Sequence, residues 1–150
     1  MSTPTDMADL IRARLLTAPA GGELATLVDL THIEVIVYRQ QSIDASVKAA
    51  VGKASGCAIT IEWAGFKTLQ PNASRPRLGE TYNISVWSKP VIDAGQRPAE
   101  LVLKSIILRM WHWLPNGGHV FGEAVPENGG VTPSKSYLVY DCEVTIPLSL

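Results

Sequence analysis

A chain of 150 residues, 46% hydrophobic and 18% charged, is large enough for one domain with its own core and excludes a disordered protein. Its formal net charge of −1, from 13 basic and 14 acidic residues, argues against a dedicated nucleic-acid binder, which carries a strong basic excess. No run approaches 18 apolar residues and the N-terminal MSTPTDMADLIRARLL has no apolar signal-peptide core, so neither a membrane span nor a signal peptide is predicted and the cytoplasm is the default compartment.

Thr5 or Asp6 can cap a first helix running to about Leu16, with Met7, Leu10, Ile11 and Leu15 on one face. Ala18-Pro19-Ala20-Gly21-Gly22 breaks it, and Glu23 to Leu30 is read as a short helical turn. The β-branched run Ile33 to Tyr38 predicts a buried strand. Ser42 can cap an alanine-rich helix, Ile43 to Ala54, which Gly56 stops. Cys57 to Trp63 alternates, with Cys57, Ile59, Ile61 and Trp63 facing one way, and predicts a half-buried strand. Ala64 to Gly79 reads as a long basic loop beside Trp63, and loops of that length are commonly functional. Glu80 to Ser88 alternates again, placing Tyr82, Ile84 and Val86 opposite Thr81, Asn83, Ser85 and Trp87. A second loop, Lys89 to Arg97, leads into a long helix.

That helix, Pro98 to Leu114, has proline and Glu100 in its first turn and Pro115-Asn116-Gly117-Gly118 at its end. Its polar residues, Glu100, Lys104, Ser105, Arg109 and His112, form one narrow stripe in an otherwise apolar surface. A helix exposed on one side needs only about 100° of apolar arc, so this one is expected to be buried on two sides. One side should lie on Ile59, Ile61, Ile84 and Val86; the N-terminal helix or a neighbouring subunit should cover the other. Beyond the helix, His119 to Ala124 is predicted as a short strand, Val125 to Pro133 as a turn-rich hairpin connector, and Lys135 to Leu148 as a long strand. In that last strand Leu138, Tyr140, Cys142, Val144, Ile146 and Leu148 oppose Val139, Asp141, Glu143 and Thr145. The element order predicts a single α+β domain, residues 1–150, in which helices pack mainly on one face of an antiparallel or mixed sheet of four to five strands.

No nucleophile elbow or phosphate-binding loop is present, and the paired glycines follow turn residues. Cys57 and Cys142 sit in apolar runs and read as buried free thiols. His112, His119 and Glu123 could be imagined as a zinc set, but the turn between the histidines leaves their geometry unconstrained. Asp141 and Glu143, two apart on one strand face, admit a small metal-dependent hydrolase or nuclease; a solvated strand face whose charges discourage edge pairing is the plainer account. No catalytic residue, metal or cofactor is therefore assigned. Lys67, Arg75, Arg77, Lys89 and Arg97 fall in the two predicted loops, either as ordinary solvated residues or as a rim meeting an acidic partner or the sugar–phosphate backbone. Four tryptophans add a hint of an interface, where that residue is enriched.

The sequence of pieces is an N-terminal helix, a strand, an alanine-rich helix, the strand CAITIEWAGFK, a basic loop, RLGETYNISVWS, a long helix ending in WHWLP, and two closing strands. This organisation resembles the tail-terminator group of phage and prophage tail-completion (minor tail) proteins, including Mu-like relatives. The resemblance implies a non-enzymatic virion subunit, assembled in the bacterial cytoplasm. It implies a homo-oligomeric ring, typically of six copies, that caps the tail tube protein and offers a surface to the head–tail connector. Ring formation of this kind needs two different, head-to-tail patches. Under it, Trp87, Lys104, Arg109 and His112 are expected at the subunit interface. Lys67, Arg75, Arg77, Lys89, Arg97 and Glu127 are expected to contact tube or connector. A neck or connector protein, or a tube-assembly part of a contractile secretion machine, is the nearest alternative.

Overall fold

The computed structural model describes residues 4–19, 29–31, 33–37, 57–69, 77–88, 98–111, 113–115, 123–134 and 137–148. Two helices, α1 (Pro4–Leu16) and α2 (Pro98–Met110), accompany five strands. The strands are β1 (Val35–Val37), β2 (Cys57–Leu69), β3 (Arg77–Ser88), β4 (Val125–Ser134) and β5 (Tyr137–Leu148). They form one mixed sheet in the order β1-β2-β3-β5-β4. Only β1 and β2 run parallel. A parallel neighbour requires a crossover of a dozen or more residues, and residues 38–56 provide that connection. The helix predicted at Ile43 to Ala54 and most of the short turn at Glu23 to Leu30 lie outside the described residues.

Both helices lie on one face of the sheet. α1 covers β1 and β2, while α2 covers β3, β5 and β4 and touches α1 along its flank. The seat of α2 is thus shifted from the one expected: Ile59 and Ile61 belong to the α1 half, and Ile84, Cys142 and Val144 to the α2 half. Period-two alternation supplies this core with Ile59 and Ile61, Tyr82, Ile84 and Val86, and Cys142, Val144 and Ile146. Met7, Ile11 and Leu15 of α1 and Val102, Ile106 and Met110 of α2 close it from above. Each such side chain stabilises the fold by about 1.5–3 kcal/mol through removal from water. The register confirms the face assignments read for β3 and β5. Both cysteines are free and buried. Burial, aided by neighbouring Asp141, pushes the Cys142 thiol up to about 12, so it remains neutral.

Several boundaries differ from the sequence expectation. The basic loop drawn from Ala64 to Gly79 is mostly strand, because β2 continues to Leu69 and β3 begins at Arg77. A bulge between Trp63 and Gly65 breaks the alternation there, and Gly65 adopts a φ of 105°, accessible mainly to glycine. The connector drawn at Val125 to Pro133 is the edge strand β4, itself bulged between Glu127 and Gly129. Proline is tolerated on an edge strand, which pairs on one side only. Glu123 and Ala124 precede β4 and are not strand; His119 lies outside the described residues. α2 stops at Met110 and β1 is three residues long.

Candidate interaction surfaces

Of the four residues expected at a subunit interface, Arg109 is not available for one. It is 1% exposed and sits where the C-terminal ends of the two helices meet. Its Nη2 donates to the carbonyls of Arg14 at 3.1 Å and Thr17 at 3.0 Å. Arg14 Nε returns a 3.0 Å bond to the Arg109 carbonyl, and the Arg14 guanidinium stands 5.9 Å over the Trp113 ring. Last-turn carbonyls have no intrahelical partner, and a cation there also meets the negative end of the helix dipole. The exchange explains why a charge is buried in an otherwise apolar layer. Ser105 is buried too, so the expected polar stripe splits along its length. Lys104 stays exposed and forms an i,i+4 ion pair with Glu100 at 3.0 Å. Trp87 is half-buried on the face away from the helices, where its indole Nε1 donates to Thr60 Oγ1 at 2.9 Å. His112 lies outside the described residues.

Around the Lys104–Glu100 pair, the other residues that α2 leaves partly open are apolar. Leu101, Ile107 and Leu108 are half-buried, and Trp111 and Leu114 just beyond the helix are 49% and 60% exposed. Leu101, Leu108 and Trp111 follow one row along the helix, with the exposed Lys104 between the first two.

The residues expected to touch tube or connector are dispersed. Lys67 is on β2 rather than in a loop, and its ammonium reaches across the sheet to Glu127 at 2.9 Å and Glu143 at 3.5 Å. The hydrogen bond from Lys67 to Glu127 raises the lysine pKa. Glu127 and Glu143 are cross-strand partners, so Lys67 separates two like charges that would otherwise repel. Glu143 is therefore tied into this trio rather than paired with Asp141, and among the described residues no group of three or more His, Cys, Asp or Glu is placed to hold a metal ion. Arg77 opens β3. Arg75, Lys89 and Arg97 lie outside the described residues.

A cluster that sequence reading missed sits at the β2 bulge. Trp63 pairs with Tyr82 and Phe66 with Glu80, which places all four on the helix-bearing side of the sheet. Had β2 run without the bulge, residues 63 and 66 would have faced opposite ways. Trp63 lies on the face it was expected to share with Ile59 and Ile61, but it is 44% exposed and Phe66 61% exposed, with their rings 5.5 Å apart edge to face. Glu80 is 8% exposed and accepts a 3.2 Å bond from the Tyr82 hydroxyl. Desolvation raises the Glu80 pKa above the usual carboxylate value, partly offset by that hydrogen bond. The glycine inside a strand-like run, Gly65, was the available signal for the bulge.

Because the folded carboxyl holds its proton more tightly than the unfolded one, its contribution to stability is complete below the unfolded value of 4.5 and declines as pH rises through the higher folded value. Glu80→Gln, which cannot ionise, is therefore expected to melt above the wild type at pH 8, with the gap closing as pH falls below 4.5. Paired melting curves across that range check this; a variant less stable than wild type at pH 8 contradicts it.

No family model matches the sequence, and no curated protein matches it.

Proposed function

We propose that this chain is a structural subunit of a phage or prophage tail, a ring-forming terminator that caps the tail tube and joins it to the head connector. The observation that carries the reading is the outward side of α2, where Leu101 and Leu108 are half-exposed and Trp111 and Leu114 more so, around the Lys104–Glu100 ion pair. Large apolar side chains left open together on a small domain mark a place where another protein sits. The exposed Trp63–Phe66 pair belongs to a different element, and two unlike patches are what a head-to-tail ring uses. The mechanism is steric: subunits match the last ring of the tube and leave no free edge for the next.

The test is assembly. Light scattering over a concentration series, with negative-stain imaging, is expected to find annular particles in the wild type and monomers in Leu108→Asp, whose side chain is half-exposed and whose replacement spares the core. Neighbouring genes should encode tube, sheath or tape-measure proteins. A wild type that forms no ring, alone or on tail tubes, and shows a divalent-metal-dependent hydrolytic activity abolished by Asp141→Asn would overturn the reading.

A further inference from the structure

We infer that the sheet is closed to strand pairing with a second copy, so that copies of this chain meet through side chains and not through a continued β-sheet; only the part that concerns ring contacts rests on the reading above. The pairing scheme fixes which backbone groups face outward. Ile59 donates its amide to the Glu34 carbonyl beside β1 at 3.0 Å, so its neighbour Thr60 turns its backbone groups to β3. Thr60 stands opposite Ser85, so Ile84 and Val86 turn the other way, to Cys142 and Tyr140 of β5. Those two residues therefore bond to β3. Their partners on β4, Gly129 and Val131, point their amides and carbonyls off the edge of the sheet. By the same alternation so do Pro126 and Pro133, opposite Val144 and Leu138.

Of these four outward-turned residues, two are prolines and have no N–H to give. A strand arriving here would find donors only at Gly129 and Val131, with a pyrrolidine ring beyond each. The bulge between Glu127 and Gly129 bends the edge as well. The edge is otherwise open to water, since Glu127, Gly129, Gly130 and Val131 are exposed. An open edge is a template for another chain, and prolines and bulges are what blunt it. The opposite edge is blocked by other means. β1 is three residues long, and the outward carbonyl of Val35 accepts a 3.1 Å bond from Arg12 Nε of α1. What is left for another copy is side-chain surface, such as the outward side of α2.

The test is residue-resolved amide hydrogen exchange on the full-length wild type, dilute and concentrated, beside the double variant Pro126→Thr/Pro133→Thr. In the wild type the Gly129 and Val131 amides are expected to exchange fast at every concentration, while that of Gly130, which bonds to β5, is slowed. The double variant restores both missing donors. It is expected to self-associate at a concentration roughly tenfold or more below any at which the wild type does, with Gly129 and Val131 becoming protected as it associates. If wild-type assembly itself protects Gly129 and Val131, the sheet does continue between copies; the inference is overturned and the ring reading stands. A double variant that melts with the wild type yet gains no association also overturns it, because the prolines then block nothing. A wild type that stays monomeric everywhere, beside a variant that associates through these amides, supports the block and removes the ring reading.

Discussion

Arg109→Ala is expected to lower stability by roughly 3–5 kcal/mol, from a large-to-small truncation among buried residues together with the loss of the donor to two backbone carbonyls. The guanidinium is 1% exposed and caps the carbonyls of Arg14 and Thr17. Truncation leaves both acceptors without that donor and opens a cavity between the helix ends. An unpaired buried acceptor costs about 1–3 kcal/mol by itself. The loss spreads, because Arg14 is held in return by the Arg109 carbonyl and stacks on Trp113. Trp113 then accepts a 2.7 Å bond from the Ala124 amide at the head of β4. Arg109→Met separates the two contributions: it refills most of the volume and leaves the carbonyls uncapped, so its cost should fall between wild type and Arg109→Ala. Urea unfolding followed by tryptophan fluorescence measures all three. A change under about 0.5 kcal/mol for Arg109→Ala, the worth of an ordinary surface residue, would show that the arginine does not hold the helix ends together.

Arg109 also shows where sequence reasoning stops. A lone base on a helix is placed outward because charged side chains are rarely buried. What buries this one is the end of another helix, 95 residues away in sequence, and no local pattern announces that. Long uninterrupted periodicity was legible. α1, the first half of β2, most of β3, β5 and the body of α2 follow from their apolar spacing, and with them the α+β class and the one-sided packing. Two segments misled for definable reasons. Strand β4 reads VPENGGVTPS, which is turn chemistry unless the segment sits on an edge, where one side of the backbone is free and proline does no harm. At Ala64-Gly65 the bulge moves every later residue of β2 by one position, so the alternation test returns no strand although the pairing continues to Leu69. That single shift hid the Trp63–Phe66–Glu80 cluster. It also made Lys67 look like a loop base when it is a cross-strand bridge to Glu127 and Glu143. The α2 face was legible as an excess of apolar residues; of its expected polar contacts, Lys104 does lie exposed, beside Glu100, whereas Arg109 is turned inward onto α1.

Gly79→Ala is expected to destabilise the protein by about 1–3 kcal/mol, the usual cost of overpacking. A Cβ at position 79 would stand 2.5 Å from Thr145 Cγ2 and 3.3 Å from Leu69 Cδ1. These two side chains, from β5 and β2, close over β3 on the face away from the helices and hold the far half of the β2–β3 hairpin flat against β5. The backbone at Gly79 is ordinary extended strand, so alanine would restrict the unfolded chain favourably by about 0.4–1 kcal/mol; the clash outweighs it because both neighbours are themselves packed. Thr145→Ser removes the methyl in question and keeps the hydroxyl. Alone it should cost about 0.8 kcal/mol, the value of one buried methylene-sized group. Combined with Gly79→Ala it should recover much of the loss, a favourable coupling readable from a four-member double-mutant cycle in urea. Strict additivity would mean that Thr145 does not set the space above Gly79.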